Sequence, residues 1–516
     1  MKPPLTTCRF LLPGILLALI SCAPMKDPGL LEAGASDSPR ALSAHTLPAG
    51  RSQASKNRLQ DLIDNPALSR GLWGISVRSL VTGKTIFQLN EGKLFVPAST
   101  MKLFTTAVAL IRLGPDFSYI TNLYAGGPVE DGVLKGDLFL RGSGDPTISE
   151  RFQTSATSVF EEWADGMKRQ GIQEIRGDLV GDDGLFDDAE LGRGWAWDDE
   201  LAWYSARISA ISFNDNCFEV TLSPGKRPGE AAGIRISPET AYVKIRNHVV
   251  TSGFGEKTEV DARRSFGAAA ITLSGRIGEA APPHLMRFAA GNPTLYAMTI
   301  LKEVLERKGI KVRGNPVERG RDQEPPDYNS MSVLLSHRSA PLSRIIEETN
   351  KRSRNLYAEL LFRTLGTLSG GRGTTEQAVS VVLESLAVMG IPPDSLAIYD
   401  GSGLSRLNLI TPGQVVQLLD YMAHHPYFDY FFQSLPVAGV DGTLMRRMQN
   451  TLAEGRVRAK TGTLTHMVSL SGYLPDCKGR LLAFSIMSNN FLSPSAEVRL
   501  LQDTMAERLV RLGEER

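Results

Sequence analysis

The sequence predicts an α/β protein in which one body of sheet and helices is interrupted by a long β-rich insertion. A hairpin pattern and an apolar helix come before residue 118, and a helical block, two strands and a closing helix come after residue 334. Between them, short β-prone runs alternate with Gly, Asp and Pro turns. We therefore expect a discontinuous domain formed by 56–117 and 335–516, with one or two β-rich domains inserted at 118–334.

The first residues carry an export pattern. Lys2 and Arg9 precede an apolar run from 10 to 20. That run has the length of a signal-peptide core and is too short to span a bilayer as a helix. The pattern predicts a signal peptide over 1–21 and an exported chain.

The apolar run ends in a sequence that resembles the lipobox of bacterial lipoproteins, formed by Leu19, Ile20, Ser21 and Cys22. Processing there would leave Cys22 as a lipidated first residue, whereas an ordinary signal peptide that happens to contain a cysteine is the alternative. Ala23 stands where an aspartate would favour the inner membrane, so we expect a periplasmic protein anchored to the outer membrane. The segment 22–55 is rich in Pro, Gly, Ser and Ala, which predicts a flexible tether.

The charge and cysteine content exclude several classes of function. The chain has 57 basic and 56 acidic residues, so no charge field favours nucleic acid. Cys217 and Cys477 lie in the folded part with no metal-ligand spacing, and we expect neither a metal nor a cofactor. A disulfide between these two cysteines is left open.

A predicted hairpin and a predicted helix meet at Ser99. β-Prone residues over 72–89 flank a central turn. The apolar run that follows Pro97 ends at Gly114, which can adopt the left-handed conformation of a helix C-terminus. Ser99 and Lys102 then lie on one face of the first helical turn, close enough for the amine to accept the hydroxyl proton.

The spacing of Ser99 and Lys102 is not specific by itself. The same Ser-x-x-Lys pattern occurs at Ser223 and Lys226, where the intervening Pro and Gly favour a turn. A serine near a helix start with a solvated lysine beside it is the ordinary alternative. Further motifs are needed before Ser99 can be read as a nucleophile.

Turn and capping signals define the elements of the insertion. Asn292 and Pro293 predict the start of a helix that ends at Gly309. Elsewhere the insertion carries short β-prone runs bounded by turn residues, which predict strands. These runs are 133–140, 178–180, 218–222, 242–250 and 269–273.

After residue 334 the pattern becomes helical and then returns to strands. Helices are predicted around 356–361 and 378–389, and Thr411 is predicted to cap a third. Strands follow at 456–473 and 481–488. Ser493 and Pro494 then open a last amphipathic helix.

Two further short motifs occur in this part of the chain. Ser353 and Asn355 form a Ser-x-Asn motif just before a predicted helix, and Lys460 begins a Lys-Thr-Gly-Thr sequence on a strand of the final hairpin. Ser-x-Asn is weak alone, because it also occurs elsewhere, for example at Ser212. The order of the three motifs, with the Ser99 motif first, makes the set specific.

With these motifs the sequence resembles the low-molecular-mass class C penicillin-binding proteins, the D-alanyl-D-alanine carboxypeptidase/endopeptidase family. In that family a large insertion separates the first motif from the second, as 118–334 would here. Further matches lie at 142–147, 400–405 and 439–444, whereas Arg354 departs from the aspartate of many relatives. The resemblance implies a penicillin-binding/serine β-lactamase-like transpeptidase fold, with an antiparallel sheet flanked by helices and a helical subdomain.

The resemblance also implies acyl transfer on peptidoglycan stem peptides. Ser99 would attack the carbonyl of the penultimate D-alanine and form an acyl-enzyme, with Lys102 as the base. Ser353 and Asn355 would form hydrogen bonds around Lys102 and the substrate amide, with Ser353 as a proton relay to the leaving amine. β-Lactam antibiotics would be covalent inhibitors, and Arg354 would adjust the charge of the site.

The third motif would bind the terminal carboxylate of the substrate. Lys460, Thr461 and Thr463 supply an ammonium group and hydroxyl groups, which suit an anion. Gly462 would let the substrate approach the edge of the strand closely. The backbone N–H groups of Ser99 and Thr463 would stabilise the oxyanion.

Other conspicuous residues are assigned structural roles or none. The sequences at 400–403 and 441–443 have the residues of turns near the site, and Asp145 has those of a turn in the insertion. A lone histidine is more often a surface or packing residue, so His466 receives no role despite its proximity to the third motif.

Two other functions are left open. A β-lactamase would use the same three motifs, although the long insertion favours a peptidase. A catalytically idle wall-binding lipoprotein would keep the fold, although no nucleophile or base candidate is missing. The sequence does not rank carboxypeptidase activity on terminal D-Ala-D-Ala against endopeptidase activity on cross-bridges.

Overall fold

The strands form several separate sheets, of which one belongs to the two ends of the described chain and the others to the insertion. The computed structural model describes residues 70–264, 270–319 and 324–512. The strands are β1 Leu72–Ser79, β2 Thr85–Leu89, β3 Ile120–Ala125, β4 Val129–Glu130, β5 Val133–Leu134, β6 Leu138–Arg141, β7 Glu174–Ile175, β8 Leu179–Asp182, β9 Cys217–Ser223, β10 Gly233–Ser237, β11 Lys244–Ser252, β12 Glu259–Arg264, β13 Ala270–Gly278, β14 His284–Ala289, β15 Lys311–Val312, β16 Pro316–Glu318, β17 Ser332–Arg338, β18 Arg458–Leu464, β19 Met467–Pro475 and β20 Leu481–Asn489.

The helices concentrate in the second half of the chain. They are α1 Met101–Leu113, α2 Ser158–Arg169, α3 Pro293–Arg307, α4 Leu342–Lys351, α5 Asn355–Thr367, α6 Thr375–Val388, α7 Pro412–Ala423, α8 Phe428–Ser434 and α9 Ser495–Val510. Among the described residues, no helix combines the length and the apolar content needed to cross a membrane.

A five-stranded antiparallel sheet joins the two ends of the described chain, in the order β18-β19-β20-β1-β2. Alternation along the strands separates its two faces. Tyr473 and Met487 pack against the helical block that contains α1, α5 and α7. Leu470 and Ile486 face the other way and pack with α9. The predicted α/β fold, with an antiparallel sheet flanked by helices and a helical subdomain, is confirmed.

The insertion is rich in β-structure and also contains helices. Its sheets have the orders β16-β8-β6-β3-β17, β15-β7-β5-β4, β10-β9-β14 and β11-β13-β12. Helix α3 begins as predicted, because Asn292 accepts a hydrogen bond from the backbone N–H of Leu295 and Pro293 is its first residue. Helix α2 was not predicted, although Phe160, Trp163 and Met167 repeat at helical spacing.

The sheet of the insertion extends past the predicted boundary between residues 334 and 335. Strand β17 pairs with β3 along its length, from Ser332 opposite Ala125 to Arg338 opposite Ile120. The first helix of the second half, α4, starts only at Leu342. Strand β17 therefore continues the sheet of the insertion, and its pairing with β3 depends on residues far away in sequence.

A buried ionic cluster ties the insertion to helix α5. The carboxylate of Asp215 accepts hydrogen bonds from Arg151 at 2.6 Å, Arg287 at 3.0 Å and the Tyr357 hydroxyl at 2.7 Å, and lies 3.8 Å from Arg354. Although burial acts in the opposite direction, the three guanidinium groups hold the pKa of Asp215 well below its usual range. The charge of Arg354 is therefore paired with the insertion.

The two cysteines of the described part of the chain are not joined by a disulfide. Cys217 is buried and Cys477 is exposed, and both are free thiols. In 70–264, 270–319 and 324–512, no group of His, Cys, Asp and Glu side chains is arranged to hold a metal ion. The predicted signal peptide, Cys22 and the tether over 22–55 lie outside the described residues.

Candidate active site

Ser99 lies in a tight turn that runs directly into helix α1. A 3₁₀ turn covers Ala98–Thr100, and α1 follows without a break until Gly114, which has a φ of 82°. Ala98 and Thr100 are buried, whereas Ser99 is partly exposed. The turn therefore presents one hydroxyl to solvent and fixes its two neighbours.

The side chain of Lys102 is fully buried beneath this hydroxyl. Its Nζ donates hydrogen bonds to Ser99 Oγ at 3.0 Å, to Asn355 Oδ1 at 2.6 Å and to the backbone oxygen of Ser402 at 2.6 Å. These three acceptors match the three hydrogens of an ammonium group. When one proton is lost, a lone pair becomes available towards Ser99 Oγ.

Burial changes the acidity of this lysine. It lowers the pKa of Lys102 to about 7, against the opposing effect of the carboxylates of Asp400 and Glu359. A lysine near neutrality can accept a proton at physiological pH, which an unperturbed lysine cannot. The site thus holds a hydroxyl group and an amine that can accept its proton within hydrogen-bond distance of each other.

A buried loop contacts Lys102 through the backbone oxygen of Ser402, and the sequence did not predict this contact. Glu359 accepts hydrogen bonds from the backbone N–H groups of Gly401 at 3.3 Å and Ser402 at 2.8 Å, which fixes the Ser402 carbonyl under Lys102. Burial raises the pKa of Glu359 to about 7. Its position one helical turn after Asn355 was the available signal, since residues four apart share a face.

Asp400 holds the same loop in a turn conformation. Its carboxylate accepts hydrogen bonds from the backbone N–H groups of Gly403 at 2.8 Å and Ser405 at 2.6 Å, as turn-forming aspartates do. It also accepts one from Trp195 Nε1, which belongs to the insertion, at 2.9 Å. The loop is thus a turn, as predicted, and it also places the Ser402 carbonyl that accepts a hydrogen bond from Lys102.

Gly403 allows this loop to touch the Ser99 turn. Its φ is +81°, and a Cβ at this position would lie 1.8 Å from the backbone oxygen of Ala98. We expect Gly403→Ala to destabilise the protein by about 3 kcal/mol or more, because it combines backbone strain with a steric clash. Gly83→Ala is the matched control, since Gly83 has a φ of +66° and nothing within 4 Å. Denaturant unfolding of both variants would measure the difference; equal losses of stability would contradict the close contact.

Ser353 and Asn355 each contact one of the two buried lysines of the site. Asn355, the first residue of α5, binds Lys102 through Oδ1 and donates from Nδ2 to the backbone oxygen of Tyr204 at 2.7 Å. Ser353 has a φ of 57° and its Oγ accepts a hydrogen bond from Lys460 Nζ at 2.8 Å. The Ser-x-Asn motif therefore connects the two lysines of the site, and the insertion takes part through Tyr204.

Lys460 is the second buried amine of the site. Burial and the proximity of Lys102 hold the pKa of Lys460 well below its usual value. It donates to Ser353 and to the backbone oxygen of Thr461 at 2.9 Å. Lys460 and Ser353 thus form a hydrogen-bonded pair close enough to Lys102 for the two amines to influence each other.

Strand β18 carries the third motif along the edge of the main sheet. Thr461 and Thr463 are partly exposed, and the Thr461 hydroxyl is 2.8 Å from that of Thr443. A Cβ on Gly462 would lie 2.8 Å from the Pro97 oxygen and 3.0 Å from the Ser99 nitrogen. From the sequence, a glycine at position 462 is explained by the close approach of the substrate. The structure adds a second reason, because β18 packs against the Ser99 turn at this position.

The structure brings all the predicted site residues of the three motifs together. Ser99, Lys102 and Asn355 share one hydrogen-bond network, and Ser353 and Lys460 form a second network beside it. The alternative Ser-x-x-Lys pattern lies elsewhere, since Ser223 ends strand β9 and Lys226 is exposed in the following loop. His466 is exposed and binds the Phe491 oxygen through its ring nitrogen at 2.8 Å.

Several known proteins are similar to this chain in sequence. The D-Ala-D-Ala carboxypeptidase 3 (S13) family matches residues 55–512. The chain is 36% identical over 461 residues to a D-alanyl-D-alanine carboxypeptidase of Actinomadura sp. (strain R39), covering 87% of this chain and 83% of that protein. It is 28% identical to D-alanyl-D-alanine carboxypeptidase DacB of Haemophilus influenzae over 434 residues, covering 82% of this chain and 86% of the relative.

The crystal structure of penicillin binding protein 4 (dacB) from Haemophilus influenzae is similar to the whole described fold. The TM-score is 0.77 at 26% identity, with 88% of this chain and 99% of that chain covered. A crystal structure of the same protein complexed with a novel β-lactam gives a TM-score of 0.72 at 25% identity, with 88% and 98% covered. Because the family match spans nearly all of the sequence, this chain belongs to the D-Ala-D-Ala carboxypeptidase 3 (S13) family.

Proposed function

We propose that this chain is a serine DD-peptidase that removes the terminal D-alanine from peptidoglycan stem peptides through an acyl-enzyme on Ser99. The observation that carries the proposal is the buried Lys102 amine, which lies 3.0 Å from Ser99 Oγ and has a pKa of about 7. Membership in the carboxypeptidase family supports the choice of substrate.

Acylation begins with proton transfer. Neutral Lys102 takes the hydroxyl proton as Ser99 Oγ attacks the carbonyl carbon of the penultimate D-alanine. The negative charge that develops on the carbonyl oxygen is stabilised by the backbone N–H groups of Ser99 and Thr463. Asn355 and the Ser402 carbonyl hold the Lys102 amine in place during this step.

Departure of D-alanine requires a proton on its nitrogen. Ser353 passes one to the leaving amine, and Lys460, which donates to Ser353 Oγ, replaces it. The C–N bond then breaks and the acyl-enzyme is left on Ser99. Lys102 then gives up the proton that it took from Ser99, and Lys460 regains one, so that Lys102 is neutral again. It deprotonates a water molecule that attacks the same carbonyl; the C–Oγ bond breaks, Ser99 Oγ takes the proton from Lys102, and the shortened peptide leaves.

The third motif selects substrates with a free terminal carboxylate. The partly exposed hydroxyl groups of Thr461 and Thr463 can donate hydrogen bonds to a carboxylate, and the Lys460 amine lies buried on the same strand. A penicillin carries a carboxylate and a reactive carbonyl in a comparable arrangement, so it would acylate Ser99 and remain bound. The protein is therefore a penicillin-binding protein in this proposal.

The test compares two substrates with the purified protein. We expect D-alanine release from diacetyl-Lys-D-Ala-D-Ala and slow turnover of benzylpenicillin after a first acylation. Rapid penicillin hydrolysis without D-alanine release would identify a β-lactamase instead. If the protein shows no acylation and no D-alanine release, it is a catalytically idle protein of the wall.

We further propose that the chain is exported and held in the periplasm by a lipid on Cys22, at the outer membrane. The apolar run from 10 to 20, the lipobox-like sequence that ends at Cys22 and the following Ala23 support this proposal. The segment 22–55 would act as the tether that lets the catalytic body reach the wall.

Cys22→Ala is expected to move the protein from the membrane fraction to the soluble periplasmic fraction, because the acceptor of the lipid is lost. Cell fractionation with immunoblotting measures this shift. Cys8→Ala, within the predicted signal peptide, is the matched control and should leave the protein membrane-bound. An unchanged distribution of Cys22→Ala would refute the anchor.

A further inference from the structure

Glu359 is a buried carboxyl group close to the base of the proposed reaction. It lies on helix α5, one turn after Asn355. Burying an ionised carboxylate is costly unless hydrogen bonds or opposite charges compensate. The side chain accepts hydrogen bonds from the backbone N–H groups of Gly401 and Ser402, of which the first is long, at 3.3 Å. These two bonds compensate the charge of Glu359 only in part.

The backbone of Gly401 and Ser402 connects Glu359 to helix α1. While their N–H groups point to Glu359, their carbonyl oxygens accept hydrogen bonds from the Thr105 hydroxyl at 2.7 Å and from Lys102 Nζ at 2.6 Å. The backbone of Ser402 alone thus separates the carboxyl group from the amine. Charges at such a separation interact strongly where water is excluded.

Asp400, the second carboxylate beside Lys102, is held in its charged form. Its oxygens accept hydrogen bonds from N–H groups of its own loop and of the insertion. These belong to the backbone of Gly403 and Ser405, the Asn408 amide and the Trp195 indole. An N–H group cannot accept a proton in return, so protonation of Asp400 would break at least one of these bonds. Glu359 is therefore the carboxyl group of the loop whose charge can change.

The charged groups that face Glu359 come from three elements. Lys102 belongs to α1 and Asp400 to the loop, while Arg363, on the same helix as Glu359, is bound to Asp187. Burial and the charge of Asp400 raise the pKa of Glu359 to about 7, and burial lowers the pKa of Lys102 to about 7. Two interacting groups that titrate in the same range bind and release their protons as a pair.

We propose that Glu359 is a positioning residue for the base: its carboxyl group is protonated when Lys102 is neutral, so that the two buried groups share one proton. When Glu359 holds this proton, Lys102 can accept the proton of Ser99. When Glu359 is ionised, its charge favours the ammonium form of Lys102, which cannot act as a base. The inference rests on the proposed function, in which Lys102 deprotonates Ser99.

The first test is the pH dependence of penicillin acylation in Glu359→Gln. Glutamine keeps an oxygen for the Ser402 N–H group and removes the negative charge. Lys102 then titrates alone, so the midpoint should move to lower pH by about one unit and the transition should become steeper. Glu303→Gln is the matched control, because Glu303 also accepts a backbone N–H, that of Ala241 at 2.8 Å, but lies on helix α3 of the insertion. It should leave the midpoint unchanged.

The second test does not depend on activity. A protonated carboxyl group has its own infrared C=O stretching band, and the band that is missing in Glu359→Gln belongs to Glu359. In the unmodified protein this band should disappear at about pH 7 as the pH rises. In Lys102→Met it should persist to a pH about one unit higher, because the positive charge is gone and the coupling between two sites is reciprocal.

Equal midpoints in Glu359→Gln and the unmodified protein would overturn the inference. A loss of rate by the same factor at every pH would also overturn it, since Glu359 would then only support the loop. If Glu359→Gln does not fold, the position of the band in the unmodified protein and in Lys102→Met decides alone, and an equal position contradicts the shared proton. A protein that never reacts with penicillin would refute the proposed function, whereas the infrared titration would still decide whether the two groups share a proton.

Discussion

Ser99→Ala is expected to reduce D-alanine release by on the order of 10⁴-fold or more, because the variant has no atom that can form the acyl-enzyme. Penicillin acylation should be lost with it. The Ser99 side chain is partly exposed and accepts one hydrogen bond from Lys102, so Tm should shift by less than about 2 °C. Steady-state kinetics and a thermal unfolding curve on the same preparation measure both effects.

Ser223→Ala is the control for this experiment. Ser223 has the same spacing to a lysine as Ser99, but it ends strand β9 and is followed by a loop. Its replacement should leave D-alanine release unchanged. Undiminished release by Ser99→Ala would remove Ser99 from the role of nucleophile.

Lys102→Met is expected to slow acylation by about 10² to 10⁴-fold, which is the usual contribution of a general base. Methionine has a similar length and no proton-accepting nitrogen, and the replaced amine is fully buried. Exchanging a buried charged group for an apolar one of similar size often has a small effect on stability. The rate of penicillin acylation, measured by stopped flow, gives the loss directly, and Lys226→Met is the matched control on an exposed lysine.

The same residue sets the pH dependence of the unmodified protein. Because burial lowers the pKa of Lys102 to about 7, the amine is neutral above that pH and protonated below it. The acylation rate should therefore rise with pH, with a midpoint near 7, and fall about tenfold per unit well below it. Burial also raises the pKa of Glu359 to about 7. The same pH profile should therefore be measured for Glu359→Gln, which separates the titration of Lys102 from that of Glu359. A rate that is constant from about pH 5 to about pH 9 would exclude Lys102 as the base.

Local signals predicted the elements that carry the motifs. Helix α3 begins at Pro293 because Asn292 caps it, and α1 ends at Gly114, whose positive φ of 82° cannot continue a right-handed helix. Such signals depend on neighbours in sequence and are visible without a structure. The three motifs could be placed at a helix start, just before a helix and on a strand for the same reason.

Contacts between distant segments could not be predicted in this way. The Ser402 carbonyl binds Lys102 across 300 positions, and the Tyr204 carbonyl binds Asn355 across 151. Backbone carbonyls leave no signature in the sequence, because every residue has one. The role of the insertion in the site, through Tyr204 and Trp195, therefore emerges only from the fold.

The ion pairs of Arg354 also could not be predicted from the sequence. A basic residue within the Ser-x-Asn motif was expected to adjust the charge of the site. In the structure it lies 3.8 Å from Asp215, which also binds Arg151 and Arg287. Its charge is paired within the joint between insertion and helix α5, and this pairing depends on three segments that are far apart in sequence.

The central claim is that Ser99 is the residue that carries the acyl group. Incubation of the purified protein with benzylpenicillin above pH 7, followed by proteolysis and mass spectrometry, locates the adduct. The structure predicts one penicilloyl group on the peptide that contains Ser99 and none in Ser99→Ala, with prior addition of diacetyl-Lys-D-Ala-D-Ala slowing the reaction. An adduct on another residue, or an unmodified Ser99 in an active preparation, would contradict the account.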